Sequence, residues 1–552
     1  MNSTDLKNAA ARGERPGANV TASQTSGPRQ AAREIWVEVP SESGPAAAWC
    51  YSDRRSYSPG DSVRLHLSSN RAQVRLRIYR DGAVARTLHE TDSLDACFHP
   101  LPERAYEQGC QWPVFVQWSI PGDADPGGYV VEVRDSADSV LGHHLFIIKA
   151  ARKRADALVL VAATSTWAAY NDWGGANHYF GLHPGTPRGR APLLSAQRPW
   201  ARGQVWLPED APRSVNATRQ RKPGPARYEF IEWASLNGYA KYYALAGWAS
   251  YERPFVVWAE QQGYTVDILT QDDLHQDPQA LEGYSCAVFI GHDEYWTREM
   301  RDHVDVFVEG GGKVARFAGN FMWQTRLEDE GRRQVCYKYR ARAEDPLYQT
   351  EDVTRATNSW DAPEIGRPGV KTFGLNSSKG VYAGWGGCTP RGVRGFPVYR
   401  PEHWAFADTG LFYGDLLGAD SHVYGYEVDG LDYEIRNGRP FPTASSGAPD
   451  GLEILAMGMA SQVEEADFLD IEDQFFGDED GRFIAEMLHG DASDENLEKV
   501  RYSNGMIVNF QRGKGEVFHA GSCEWVAGLL RRDAMVERVT ANVLDRYLGK
   551  SR

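Results

Sequence analysis

Gly291-His292-Asp293-Glu294-Tyr295-Trp296 brings together side chains that move protons or hold cations. It follows the apolar run Cys286-Ala287-Val288-Phe289-Ile290, which reads as a buried strand. Titratable groups then stand at the carboxyl edge of a sheet, the edge at which open α/β sheets bind ligands. His292 and Glu294 are separated by one residue, so continued strand geometry directs both to one side. An imidazole and a carboxylate on one side make an acid/base pair or part of a metal shell. Taken alone, the pair also suits a hydrogen-bonded surface turn, and the rest of the chain has to decide.

Further polar residues stand at the ends of neighbouring apolar runs. Ala157-Leu158-Val159-Leu160-Val161-Ala162-Ala163 reads as a buried parallel strand and leads into Thr164-Ser165-Thr166-Trp167-Ala168-Ala169-Tyr170-Asn171. Asn177-His178-Tyr179-Phe180 comes soon after, and the run Lys313 to Ala318 ends in Gly319-Asn320. Tyr170, Tyr179, His292, Glu294 and Asn320 are therefore expected around one pocket. Phenolate and carboxylate oxygens are hard anionic ligands that favour a hard, highly charged cation such as ferric iron. A bound cation would pull the tyrosine pKa values far below their free value of about 10. Such a site is a Lewis acid suited to polarising a carbonyl and activating water. Each tyrosine by itself also suits a packed aromatic with a hydrogen-bonded hydroxyl.

The elements that must position these residues alternate strand and helix. Residues 251–262 read as a helix, 264–269 as a second strand, and 298–309 as a helix closed by Gly310-Gly311-Gly312. That succession implies a right-handed parallel sheet. Residues 506–510 and 515–520 read as a hairpin and 532–548 as a closing helix, while 324–450, rich in Gly, Pro and aromatics, is expected to wrap over the site. Upstream, short alternating runs such as Ser62 to Leu67 and Val74 to Tyr79 suggest an immunoglobulin-like β-sandwich over 34–152. Residues 1–33, polar and without periodicity, read as a disordered tail, leaving 153–552 as the α/β catalytic domain.

A chain of 552 residues exceeds one core, and its net charge of −15 argues against a nucleic-acid binder. No apolar stretch approaches the roughly 20 residues that span a bilayer, so no membrane partner is expected. Met1 to Arg33 lacks an apolar signal core, which makes a cytoplasmic location the expectation. The seven cysteines are scattered without a CxxC, so neither a zinc knuckle nor a disulfide framework is indicated. No GxSxG elbow is present, and Gly310-Gly311-Gly312 precedes a strand rather than a helix, unlike a phosphate loop. His519 is expected as a hydrogen-bonded sheet residue, Glu524 as a turn cap, and the acidic run 464–481 as a solvated loop.

Residues 157–550 resemble the carboxy-terminal part of the N,N-dimethylformamidase large (beta) subunit family. The phrases that carry the likeness are Ala169-Tyr170-Asn171, Ser195-Ala196-Gln197-Arg198-Pro199, Trp258 with Glu260, His292-Asp293-Glu294-Tyr295-Trp296, and Gly319-Asn320 with Trp323. Gly425-Tyr426-Glu427-Val428-Asp429 and the stretch Gly515 to Ser522 also match. The resemblance implies a fold like class I glutamine amidotransferases and a mononuclear iron (Fe3+) held by two tyrosines and one glutamate. Glu294 is then the carboxylate ligand and Tyr170 the first tyrosine, with Tyr179 as the second and Tyr228 as the alternative. His292 and Asn320 would orient substrate, and Glu427 would be the general base. A basic residue is expected after Asn320, at Lys338 or Arg340. An inserted-looking stretch covers about 201–250. At the Gly319-Asn320 corner no cysteine nucleophile is present.

The expected function is thus metal-dependent hydrolysis of a C–N bond in a small amide, by a homo-oligomer with or without a small partner subunit. The alternative is a non-catalytic carbohydrate- or small-molecule-binding or assembly protein, with Trp167, Trp173, Trp385 and Trp404 as a stacking surface.

Overall fold

The protein is described by a computed structural model over residues 18–22, 35–181, 190–213, 229–380, 394–461 and 479–550. Tyr228, Trp385, Cys388 and most of the acidic run lie outside the described residues, as does most of the expected tail. Within that tail, Ala18–Ala22 pairs antiparallel with Ile35–Val39.

The chain is a mixed α/β structure with several sheets and no closed barrel among the described residues. Its largest sheet contains β1 (Leu158–Ala162), β2 (Val266–Thr270), β3 (Cys286–His292), β4 (Lys313–Gly319), β5 (Glu453–Ser461), β6 (Tyr502–Arg512) and β7 (Gly515–Ala520). Their order is β2-β1-β3-β4-β7-β6-β5. The first five run parallel, and β6 is antiparallel to both its neighbours. Every residue of β1, β2, β3 and β7 is buried, which explains why their sequences are continuous apolar runs rather than alternating ones.

The helices that flank this sheet include α1 (Thr164–Tyr170), α2 (Glu252–Gln261), α3 (Gln271–Gln276), α4 (Arg298–Gly310), α5 (Trp525–Leu530) and α6 (Ala534–Leu548). Thr297 caps α4 by accepting from the Met300 amide, and Gly311 ends it at φ 118°. The strand expected at 286–290 runs on to His292, which pairs with Gly319 of β4. Edge strand β5 carries no alternation to announce it, because Ile454 to Met457 are all buried.

Upstream, Ala48–Ser52, Ser62–Ser69 and Val114–Ser119 form one antiparallel sheet. Gln73–Asp81, Arg86–Glu90, Gly127–Arg134 and Val140–Ile148 belong to a second sheet. Residues of both sheets, among them Val63, Leu65, Ile78, Val131 and Phe146, share one core. Polar clamps tie these strands to the large sheet's flank. Asp81 accepts from Trp248 Nε1 at 2.8 Å, and Arg80 reaches Glu260 at 2.5 Å. Trp258 donates to Glu537, so this Trp and Glu260 serve packing between elements.

Candidate functional site

β1, β3 and β4 end side by side, and their carboxyl ends supply the side chains of the site. Helix α1 starts directly after β1 and places Tyr170 at its last position, buried. The Thr166 hydroxyl on the same helix accepts from the Glu294 amide at 2.9 Å and from the Tyr295 amide at 3.3 Å. Past β3, Tyr295–Trp296 pairs in parallel with Trp323–Gln324 beyond β4. These two bonds and this short ladder fix the backbone on which Glu294 sits.

Glu294 is the hub. The Tyr179 hydroxyl lies 2.8 and 2.9 Å from its two oxygens, and Trp323 Nε1 donates to Oε1 at 2.5 Å. Tyr295 donates to the Tyr179 hydroxyl at 2.8 Å. The Tyr170 ring packs 4.5 Å from that of Tyr179 and 5.1 Å from His292. Burial, followed by the charge of Glu294, pushes both Tyr170 and Tyr179 well above the usual phenol value. These phenols ionise only if a cation offsets that penalty. Two phenols and a carboxylate make a donor set of hard oxygens, a chemistry that matches a hard, highly charged cation.

His292 faces two carboxylates. Its Nδ1 donates to the Leu245 carbonyl at 2.7 Å, while Nε2 lies 3.3 Å from Glu294 Oε2 and 3.1 Å from Glu427 Oε2. Burial lowers its pKa, but bonds to Glu294 and Glu427 outweigh this and hold it up to about 10. The bond to His292, the charge of Lys338 and the Tyr179 hydroxyl keep Glu294 below its usual value against the opposing effect of burial. Asn320, at φ 59°, donates from Nδ2 to Glu427 Oε2 at 2.6 Å and sits 3.1 Å from His292 Nε2. Its Oδ1 is buried and finds no hydrogen-bond partner among the described residues.

Glu427 itself sits at φ 52°, in the left-handed region where a non-glycine residue is strained. Gly319 lets its loop approach: a Cβ there would lie 2.8 Å from the Glu427 carbonyl and 2.6 Å from the Cys523 amide. Cys523 Sγ, His292 and Glu427 offer ligand atoms within 4.8 Å of one another, a second donor set beside the tyrosines. Burial, then Glu427, pushes the Cys523 thiol well above its ordinary value.

The structure thus brings Tyr170, Tyr179, His292, Glu294, Asn320 and Glu427 together. It also separates the two basic alternatives. Lys338 Nζ lies 3.1 Å from the Tyr179 ring centroid and 4.9 Å from that of Trp323, whereas Arg340 pairs with Glu344. Tyr228 lies outside the described residues. His519 is a buried sheet residue, as expected, while Glu524 ion-pairs with Arg213 at 3.2 Å instead of making a cap through its side chain.

Sequence reasoning gave no role to Tyr295, Trp323, Thr166 or the Leu245 carbonyl. Tyr295 and Trp323 lie within the matching phrases, so their signal was present. Leu245 lies in the inserted-looking stretch, where no pattern marks it.

Comparison with curated proteins gives no match. Among solved structures, the sporulation control protein Spo0M from Bacillus subtilis matches 19% of this chain at 15% identity and a TM-score of 0.14. That match spans 50% of Spo0M and bears on neither fold nor function. Residues 71–537 match the family described as N,N-dimethylformamidase beta subunit-like, C-terminal, and the chain belongs to that family.

Proposed function

We propose that this protein hydrolyses the C–N bond of a small amide at the carboxyl edge of β1, β3 and β4. The observation that carries this reading is the convergence on Glu294: a Tyr179 hydroxyl bridging both its oxygens, with His292 linking it to Glu427. Family membership supports the reaction class. Tyr170, Tyr179 and Glu294 are the residues that would hold a mononuclear ferric ion, which when bound supplies Lewis acidity toward a carbonyl and toward water.

The chain's own groups account for the proton transfers. Glu427 is the general base: it takes the proton that water loses on attacking the amide carbon and delivers it to the departing amine nitrogen. Asn320 Nδ2, at 2.6 Å, keeps one Glu427 oxygen aimed at the site. His292, anchored by the Leu245 carbonyl, holds Glu294 and Glu427 a fixed distance apart. Lys338 adds positive charge over the Tyr179 ring and favours ionised Glu294. The surrounding aromatic rings limit water entry, which strengthens each of these interactions.

Within this reading, residues 34–152 form an immunoglobulin-like sandwich and 153–552 an amidotransferase-like domain, acting as a cytoplasmic homo-oligomer. Turnover of a panel of small amides tests the proposal. Loss of turnover in Glu294→Ala and Tyr170→Phe, with circular dichroism unchanged, is expected. Undiminished turnover in both variants would overturn it. No turnover by wild type, together with a ligand-responsive tryptophan signal in metal-free protein, would favour a binding protein instead.

A further inference from the structure

Arg316 is a charged residue in the middle of β4, flanked there by Val314, Ala315, Phe317 and Ala318, and its side chain is fully buried. Burying a guanidinium in a sheet is costly unless it is paired and hydrogen-bonded. Its partners come from its own strand, where Nη1 donates to the Ala318 carbonyl at 3.0 Å, from β7, and from the two loops that carry the site's carboxylates. Nη2 donates to the Asp293 carbonyl at 3.1 Å, the peptide group that leads into Glu294. Nη1 donates to Asp429 Oδ2 at 3.1 Å, two residues beyond Glu427. The same Nη1 donates to His519 Nε2 at 2.6 Å, and His519 Nδ1 in turn donates to the Phe373 carbonyl. Asp429 also accepts from the Phe321 amide, just past Asn320. The guanidinium lies 5.3 and 4.9 Å from the Phe321 and Phe373 rings, which seal it from water.

These contacts absorb three motif residues to which the chemistry gives no role. In the strand-like alternation of His292, Asp293 and Glu294, the outer two face the site and Asp293 faces Arg316, with 3.7 Å between Nη2 and its carboxylate. Asp429, two residues beyond Glu427 and past its left-handed backbone, also turns to Arg316, and His519 completes the pairing from β7.

We propose that Arg316 is a positioning residue: one guanidinium clamps the 293–296 loop to the 424–431 loop and thereby sets the Glu294–His292–Glu427 spacing. The catalytic consequence rests on the function proposed above; the clamp itself does not.

The test compares wild type with Arg316→Lys and Asp429→Asn, each loaded with iron, by hydrogen exchange and by kinetics. Arg316→Lys keeps the charge but loses the fork of donors. Asp429→Asn keeps the shape, and serves if the lysine variant fails to fold. Exchange is expected to rise in both loops together in either variant. The kcat for amide is expected to fall about 10–100-fold, with KM moved by less than about 3-fold. The double variant is expected to be little worse than either single one, because both changes break one clamp. Exchange rising in β4 alone, or in one loop without the other, overturns the clamp. Coupled exchange with unchanged kcat overturns its positioning role. If wild type turns over no amide, the functional reading fails, and the exchange result still decides the clamp.

Discussion

The Tyr179 hydroxyl lies 2.8 and 2.9 Å from the two oxygens of Glu294, across 115 residues of sequence. The bond joins the segment after α1 to the loop after β3, so the two candidate ligands are already oriented toward each other. Tyr179→Phe removes the donor while Trp323 continues to hold Glu294. Loss of the hydroxyl should lower turnover by at least about 100-fold and cost about 1–3 kcal/mol of stability through the under-satisfied carboxylate. Steady-state kinetics beside urea unfolding checks both; wild-type kinetics would remove Tyr179 from the site.

Glu427→Gln keeps shape and hydrogen-bonding capacity but cannot take a proton. A fall in kcat of about 10²–10⁴-fold is expected, with iron content unchanged. Loss of iron along with activity would instead assign Glu427 to the metal, in keeping with its proximity to His292 and Cys523.

Gly319→Ala tests how closely the Glu427 loop must approach. The added Cβ would meet the backbone of Glu427 at 2.8 Å and of Cys523 at 2.6 Å, so one of these chains must retreat. A destabilisation of about 1–3 kcal/mol and a marked loss of kcat are expected. A stable, fully active variant would mean that the loop's position has no bearing on turnover.

His144 predicts an acid-sensitive fold away from the site. It is buried in the upstream strands, with Nε2 2.8 Å from Ser52 Oγ, and burial lowers its pKa to about 3. The unfolded chain, with a His pKa of about 6.5, binds this proton and the folded chain does not. Stability therefore falls as pH drops from about 6.5 toward 3, by up to about 1.4 kcal/mol per pH unit from this residue. Between pH 7 and 5, His144→Gln should lose about 2 kcal/mol less than wild type in urea titrations. Equal losses would show that His144 is not the group responsible.

Much of the large sheet was legible because its strands are buried on both faces and so appear as unbroken apolar runs. Phe289 and Ile290 mark β3 by composition alone, although its last two residues are a glycine and a histidine. The spacing of His292 and Glu294 correctly foretold a shared side, with their ring nitrogen and carboxylate 3.3 Å apart. What the sequence hid depends on long-range contact. Nothing near Leu245 says that its carbonyl anchors the His292 ring, and nothing in 324–450 distinguishes Lys338 from Arg340 until the fold turns one inward. The short helix α1 went unread because all seven of its residues are buried, leaving no amphipathic period.

Tyr170, Tyr179 and Glu294 are the proposed cation site. Metal content and the visible spectrum of freshly purified protein test this most directly. About one iron per chain is expected, with a tyrosinate-to-iron charge-transfer band that is lost in Tyr170→Phe. A colourless protein that takes up no metal even after anaerobic iron loading, or a band unchanged in Tyr170→Phe, would contradict it.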